Sequence, residues 1–426
     1  MKNFTLPKIL SLVLLGALLT LLAVNFMSDK EKQVRKHIEH RYGVDDPQFV
    51  RSMGVLLGPP MVDGNRVETL LNGDEIFPAM LAAIRGTTKT LTFETYIYWS
   101  GKVGKDFADA LAERARSGVK VHILLDWVGS QKMEKPLLEQ MEQAGIEIQR
   151  YHPLTWHSLD RVNNRTHRKL LVADGKVGFT GGVGIADDWS GHAQDKDHWR
   201  DTHYRIEGPA VAHMQAAFND NWLKVSGVVL HGDAYFPPIA PSGQHLAQMF
   251  KSSPDGGSDS MHLMYLLSVA AATKTIDLSM AYFVPDDLAL EALVAALKRG
   301  VRVRIIMPGK LTDSKTVRGA SRALWGDILK AGAELYEYQP TMYHCKVLVV
   351  DGLWVSLGST NFDVRSFRLN DEANLNVYDR DFAARQLADF ERDLKRSRRI
   401  TYEEWAVRPW KEKAVEHFLA LFRSQL

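Results

Sequence analysis

His167-Arg168-Lys169-Leu170-Leu171-Val172-Ala173-Asp174 and His344-Cys345-Lys346-Val347-Leu348-Val349-Val350-Asp351 carry one pattern twice. In each, a histidine and a lysine flank a single residue, an aliphatic run follows, and an aspartate closes it. A glycine, Gly181 or Gly358, stands at the same distance beyond. Side chains alternate in direction along a strand, so His167 and Lys169 share one face, as do His344 and Lys346. The aliphatic run anchors the strand behind them. An imidazole titrating near neutrality beside a fixed ammonium suits phosphoryl chemistry, which needs a nucleophile or acid and a cation for the phosphate oxygens. One such tripeptide is compatible with a surface accident; two in matching surroundings are not.

The surroundings do match. Upstream of the first pair, Lys89-Thr90-Leu91-Thr92-Phe93-Glu94-Thr95-Tyr96-Ile97 reads as a strand. An amphipathic helix (Phe107, Leu111, Ala115) follows, then Gly118-Val119-Lys120-Val121-His122-Ile123-Leu124-Leu125-Asp126 as a buried strand. The second copy runs from Lys274-Thr275-Ile276 to Tyr282-Phe283, through a helix (Leu290, Leu293, Leu297), into the strand Gly300–Pro308. Ala144-Gly145-Ile146-Glu147-Ile148 and Ala331-Gly332-Ala333-Glu334-Leu335 are each a helix end turning into a strand. Strands alternating with helices predict an α/β unit, made twice. The proline-rich stretch Phe236–Gly243 separates the copies, and Lys251–Ser258 is a loop after the second copy's first strand.

At 426 residues the chain accommodates two such domains, and a formal net charge of +2 does not mark a nucleic-acid binder. Its single cysteine, Cys345, excludes an internal disulfide. No Cys/His cluster at metal-ligand spacing and no Gly-rich phosphate loop is present, so neither a metal nor another cofactor is expected. Ile9–Met27 is uncharged and leucine-rich. At about 1.5 Å per residue it spans a hydrocarbon core of about 30 Å. A cleaved signal peptide is the rival reading, but Val24-Asn25-Phe26-Met27 has no small-x-small cleavage site. Lys30, Lys32, Arg35, Lys36 and Arg41 after the span, against Lys2 and Lys8 before it, favour a cytoplasmic body. The expected division is therefore 1–28, transmembrane anchor; 29–65, tether; 66–238, first lobe; 239–426, second lobe with an amphipathic tail.

From about Val67 to Tyr378 the paired motifs resemble those of the phospholipase D superfamily. The second copy is a full match, including Gly358-Ser359-Thr360-Asn361; the first has Gly181-Gly182-Val183-Gly184 in place of the usual Ser and Asn. Asn361 to Asn374, Trp199-Arg200-Asp201-Thr202-His203 with Glu207-Gly208-Pro209-Ala210, and Ala281 to Asp286 are similar to bacterial cardiolipin synthases. The resemblance implies two tandem pseudo-symmetric α/β/α lobes with mixed sheets and one active site at their junction. It also implies phosphatidyl transfer through a phosphohistidine, making cardiolipin and glycerol from two phosphatidylglycerols at a bacterial inner membrane. Phospholipids are then the partners and nucleic acid is not.

The motif set is His167, Lys169, Asp174, His344, Lys346 and Asp351. By family analogy His167 is the nucleophile and His344 the acid/base; the near-symmetry leaves the residues themselves silent. Lys169 and Lys346 neutralise the phosphate, and Ser359 and Asn361 donate hydrogen bonds to it. Gly184 for Asn removes one donor, which a backbone N–H or water must replace. Asp201 and Glu372 are the candidates to orient the imidazoles. Asp174 and Asp351, each just before a glycine, read as turn-forming more than catalytic.

A hydrolase or nuclease using the same site is the alternative function; the anchor and the near-neutral charge disfavour the nuclease. Gly184 makes a non-catalytic lipid-binding protein conceivable, against which stand two intact His–Lys pairs. Ala383, Leu387, Phe390 and Leu394 mark a core-packing helix. Trp410, Ala414, Phe418 and Leu421 share one helical face near Lys411, Lys413 and Arg423. That face packs on the body, as amphipathic helices usually do, or lies on an anionic membrane. The run Lys395–Arg399 is equally a lipid-facing patch or a solvated face.

Overall fold

The aliphatic run after each His–Lys pair forms a strand buried on both sides, which is why it shows no polar alternation. In the computed structural model, which describes residues 34–153, 163–254 and 259–426 together with Val13, Gly16 and Thr20, these are β6 (Leu170–Ala173) and β14 (Lys346–Val350). Leu171 faces its own half's core with Phe93, Ile123 and Phe179, and Leu348 sits likewise with Leu278, Ile305 and Trp354. The alternate side chains, Leu170 and Val172 with Val347 and Val349, meet in a third core shared by both halves.

The remaining strands of the first half are β1 (Val62–Leu71), β2 (Thr90–Thr95), β3 (Lys120–Asp126), β4 (Glu147–Tyr151), β5 (Arg165–Thr166), β7 (Val177–Gly181) and β8 (Thr202–Glu207). Those of the second half are β9 (His245–Ser252), β10 (Thr275–Met280), β11 (Phe283–Val284), β12 (Arg302–Pro308), β13 (Glu334–Tyr338), β15 (Trp354–Gly358), β16 (Phe362–Asp363), β17 (Asn370–Tyr378) and β18 (Ser397–Ile400). Among the described residues all but β11 and β16, which pair with each other, form a 16-stranded sheet, along which the order is β18-β13-β12-β10-β14-β15-β17-β9-β1-β8-β7-β6-β2-β3-β4, with β5 beside β17. Read outward from the antiparallel β1–β9 contact, the two directions match strand for strand as far as β4 and β13, beyond which the second half adds β18. β2–β3 and β3–β4 are parallel, as are β10–β12 and β12–β13, while β6–β7–β8 and β14–β15–β17 are antiparallel. Each half is thus a mixed sheet, and the two halves join edge to edge.

The segment expected to be a tether contains the helix Pro47–Leu57, whose Phe49, Met53 and Leu57 fall on one side and are buried in the second half's core. Phe49 meets Trp354 edge-on at 4.9 Å. Ile9–Met27, apart from Val13, Gly16 and Thr20, lies outside the described residues, and no helix among the described residues is long and apolar enough to cross a membrane. The helix Arg380–Leu394 buries Ala383 and Phe390 and partly buries Leu387 and Leu394, the face its spacing predicts, and also buries Phe382. The basic run ends in β18, an edge strand whose Arg398 pairs with Glu337 at 3.3 Å and Glu404 at 2.8 Å.

Candidate active site

Each motif histidine is placed by a hydrogen bond to the opposite half. β5 pairs with the start of β17 in parallel, and the His167 N–H donates to the Asp371 carbonyl at 2.9 Å. The next residue, Glu372, therefore lies beside the imidazole, and Nδ1 of His167 sits 2.9 and 3.0 Å from its two carboxylate oxygens. The second motif repeats this in mirror sense. The His344 N–H donates to the Arg200 carbonyl at 2.8 Å, and His344 Nδ1 lies 2.8 Å from Asp201 Oδ2. Both rings are engaged through Nδ1, which leaves Nε2 of His167 for chemistry, while Nε2 of His344 lies 3.3 Å from Lys346 Nζ. Lys169 Nζ and Lys346 Nζ donate to the carbonyls of His167 and His344 at 2.8 and 2.7 Å. His167, Lys169, His344 and Asn361 line one cavity of about 620 Å³ at the junction of the halves. Lys346 lies behind His344, its Nζ 3.1 Å from that ring's Nδ1.

The sequence matches the family described as "Cardiolipin synthase, PLD-like domain" over residues 80–222 and 266–394. This chain belongs to that family. It is similar to Cardiolipin synthase 2 of Bacillus anthracis, with 36% identity over 82% of this chain and 68% of the relative. The Major cardiolipin synthase ClsA of Bacillus subtilis is 35% identical over 82% of this chain and 72% of its own length. A solved phosphatidylserine synthase from Haemophilus influenzae shares the fold, with a TM-score of 0.67 and 15% identity over 89% of this chain and all of its own. The chain is accordingly an enzyme of the phospholipase D superfamily.

Within this cardiolipin synthase-family site the two acids are supported differently. Glu372 accepts from Ser359 Oγ at 2.5 Å and from Asn370 Nδ2 at 3.2 Å. Asp201 accepts from the Trp189 indole N–H at 2.9 Å and the Thr202 N–H at 2.8 Å. Burial pushes Glu372 up to about 7. Burial also works to raise Asp201, yet His344 and Lys346 beside it hold it below its usual value. Burial, then Lys169 and Lys346, press His167 well below its usual range. His344 is lowered by burial and Lys346, while Asp201 pulls it back. Burial brings Lys169 down to about 7, with Lys346 adding to the effect and Glu372 opposing it. The consequence is a neutral His167, with its lone pair on Nε2, facing a more proton-retentive His344.

Ser359 changes role, and Asp174 and Asp351 sit in the turns read for them. Ser359, read as a phosphate donor, is fully buried beneath Glu372 and supports that carboxylate. Asp174 and Asp351 are outside the site, at the far ends of their strands. Asp174 adopts φ of 52° and accepts from the N–H groups of Thr88, Lys89 and Thr90 and from the Thr88 hydroxyl. Asp351, with φ of 51°, does the same for Thr273, Lys274 and Thr275. They close the turn that starts β2 and β10. Asn361 does line the cavity, and its Oδ1 has no partner.

The first copy's glycines also have a structural reason. A Cβ at Gly182 would lie 2.2 Å from Asp201 Oδ1, and one at Gly184 would lie 2.8 Å from the Ile97 Cβ and 3.2 Å from the Trp189 ring. The Asp201 carboxylate occupies the room a serine at 182 would need, and Ile97 and Trp189 that of an asparagine at 184; the Trp189 ring packs against His344 at 5.2 Å, with Trp199 at 5.6 Å. Neither tryptophan has a counterpart in the second copy, so comparison of the repeats could not single them out. Tyr96, edge-on to His167 at 5.3 Å, and Arg365, on the cavity wall, were missed for the same reason.

Proposed function

We propose that this chain is a membrane-anchored cardiolipin synthase that joins two phosphatidylglycerols through a phosphohistidine and releases glycerol. The observation that carries the reading is the convergence of His167, Lys169 and His344 on one cavity, with Lys346 behind His344 and each imidazole held at Nδ1 by an acid of the other half. His167 Nε2 attacks the phosphorus of the first lipid. The bond to the headgroup oxygen breaks, and His344 gives that oxygen its proton, so glycerol leaves. His344 then takes the proton of a glycerol hydroxyl on a second phosphatidylglycerol. That oxygen attacks the phosphorus and expels His167 unchanged. Lys169 and Lys346 offset the phosphate charge throughout, and Asn361 is positioned to bind a phosphate oxygen.

Water competes with the lipid hydroxyl for the intermediate. A positioned hydroxyl at an effective molarity of about 10⁵ M or more outcompetes bulk water. The expected N-terminal span supports this by keeping the cavity at a bilayer, on the cytoplasmic side by its flanking charges. Product analysis with purified full-length enzyme and phosphatidylglycerol vesicles tests the proposal. Cardiolipin and free glycerol should dominate, and added glycerol should reverse the reaction. Phosphatidic acid as the main product, insensitive to acceptor lipid, would make the enzyme a hydrolase; cleavage of single-stranded DNA without lipid turnover would make it a nuclease.

A further inference from the structure

The helix Trp410–Ala420 packs with its polar side inward. Its one buried residue is Glu416, held by Arg408 Nε at 2.6 Å and Arg322 Nε at 3.2 Å. Leu419, next to it, packs on Val317 and Ala320. The face that carries the apolar stripe points outward: Trp410 is 73% exposed, Phe418 58% and Leu421 75%. Val415 and Phe422 extend it, and Phe418 meets Phe422 edge-on at 5.5 Å. A stripe this apolar on a soluble face marks an interaction surface.

We propose that this outward face docks on the surface of an anionic lipid bilayer and seats the cavity mouth there. The inference rests on the function proposed above for the lipid nature of the substrate. Three observations select the bilayer as occupant. First, the patch is continuous with the mouth. Beyond the helix, Arg423 is tied to Asp287 at 2.7 Å, and Gln425 and Leu426 stand on the cavity wall, where Arg365 holds the Gln425 carbonyl at 3.0 Å. A second protein on the patch would crowd the mouth, whereas a bilayer would deliver substrate to it. Second, the chemistry is interfacial. Lys411 lies within the exposed stripe beside Trp410, and across the mouth Lys132 lies 3.8 Å over the Trp99 ring. Aromatic rings interleaved with ammonium groups suit the headgroup layer of an anionic membrane.

Third, the N-terminal side reaches the same end of the molecule. The Val34 N–H donates to Asp259 Oδ2 at 3.2 Å at the start of the helix Ser260–Ala271. His262 of that helix stacks on Phe367 at 4.9 Å, and Phe367 shares the short helix Val364–Arg368 with Arg365. The few residues between the expected span and Val34 reach at most about 20 Å. An anchor in the bilayer therefore brings this end, and not the opposite one, to its surface.

The full-length protein, reconstituted in phosphatidylglycerol vesicles, allows a direct test. The native Cys345 is buried, so a Phe418→Cys variant offers one exposed thiol for an environment-sensitive fluorophore. Its emission should shift to the blue and be quenched by lipids carrying quenchers on their acyl chains. The same label at Glu142→Cys, at the opposite end of the strands, should not respond. In parallel, the Phe418→Glu/Leu421→Glu variant should lose tenfold or more of its turnover on vesicles while keeping turnover of a short-chain phosphatidylglycerol dispersed as monomers. Lipid quenching at residue 418 without turnover of any phosphodiester would uphold docking while the transferase reading falls. Undiminished vesicle turnover without quenching would do the reverse. A response at 418 that appears without lipid and follows protein concentration would assign the face to a second copy and overturn the proposal. So would equal loss of turnover on vesicles and monomers.

Discussion

Glu372 reaches across the junction of the halves to hold His167, 205 residues earlier in the chain, at 2.9 Å. Asp201 returns the arrangement by holding His344 at 2.8 Å. Neither half has a complete site, because each supplies the imidazole for one unit and the acid for the other. Removing an acid should therefore act on the histidine of the opposite half. With an activated donor whose leaving group needs no proton, Asp201→Asn should form the covalent adduct at close to the wild-type rate. Glu372→Gln should remain slowed by about 10²-fold, because it misorients the nucleophile. Rapid quench with an acid-labile radiolabelled phosphatidyl group measures this, and the opposite pattern would exchange the roles of the two histidines.

The pH dependence follows from the lysines. Lys169 is held down to about 7 by burial, so its charge is lost as pH rises through that value. The alkaline limb of kcat/KM, which reports the free enzyme, should thus lie well below an ordinary lysine value. The limb of kcat should lie higher, because a bound phosphodiester favours the ammonium. Lys169→Arg, always charged, should move the kcat/KM limb upward even if its maximum falls. An unmoved limb would assign it to another group.

In the mechanism proposed above, the buried ammonium groups of Lys169 and Lys346 would do the work that a divalent ion does elsewhere. Exhaustive chelation should leave most of the turnover intact. Loss restored by one specific ion would contradict this account of the charge.

Asp174 and Asp351 show what their motif positions are for. Asp174→Ala should lower stability by about 2 kcal/mol, since a charged acceptor is removed from several hydrogen bonds at once. Turnover per folded molecule should stay close to wild type. Denaturation curves paired with active-site titration separate the two, and a fall in turnover at full stability would return the aspartate to the chemistry.

The sequence exposed what is local and repeated. His167–Lys169 and His344–Lys346, the strands behind them and the core face of Arg380–Leu394 were legible because alternation and helical periodicity are imprinted on neighbouring residues. Asp201 and Glu372 were legible as candidates, but their crossed pairing was not, because it follows from the β5–β17 pairing and the Arg200–Tyr343 bridge between distant segments. Ser359 was misplaced because a hydroxyl beside a phosphate site and a hydroxyl beneath a carboxylate look alike in one dimension. The tail helix shows the same limit. Periodicity finds the stripe of Trp410, Ala414, Phe418 and Leu421, and only Glu416 with Arg322 and Arg408 reveals that the other side faces the protein.

Trp189 is the residue on which the asymmetry of the site turns. Its indole N–H does for Asp201 what Ser359 does for Glu372, each supplying a side-chain donor to a buried carboxylate. Trp189→Phe keeps the ring against His344 but deletes that donor. Turnover should fall about tenfold, which corresponds to about 1.4 kcal/mol, just under the range for a hydrogen bond to a charged group. Because the indole N–H acts only through Asp201, its loss should add little to Asp201→Asn, whereas with Glu372→Gln the two losses should multiply. Gly182→Ser should not substitute for it. The added Cβ would lie 2.2 Å from Asp201 Oδ1 and must push the carboxylate off His344. We expect Gly182→Ser to fold and to turn over more slowly than Trp189→Phe. A Gly182→Ser enzyme at wild-type rate would mean that Asp201 moves freely, and that its hold on His344 is not what sets the proton transfer.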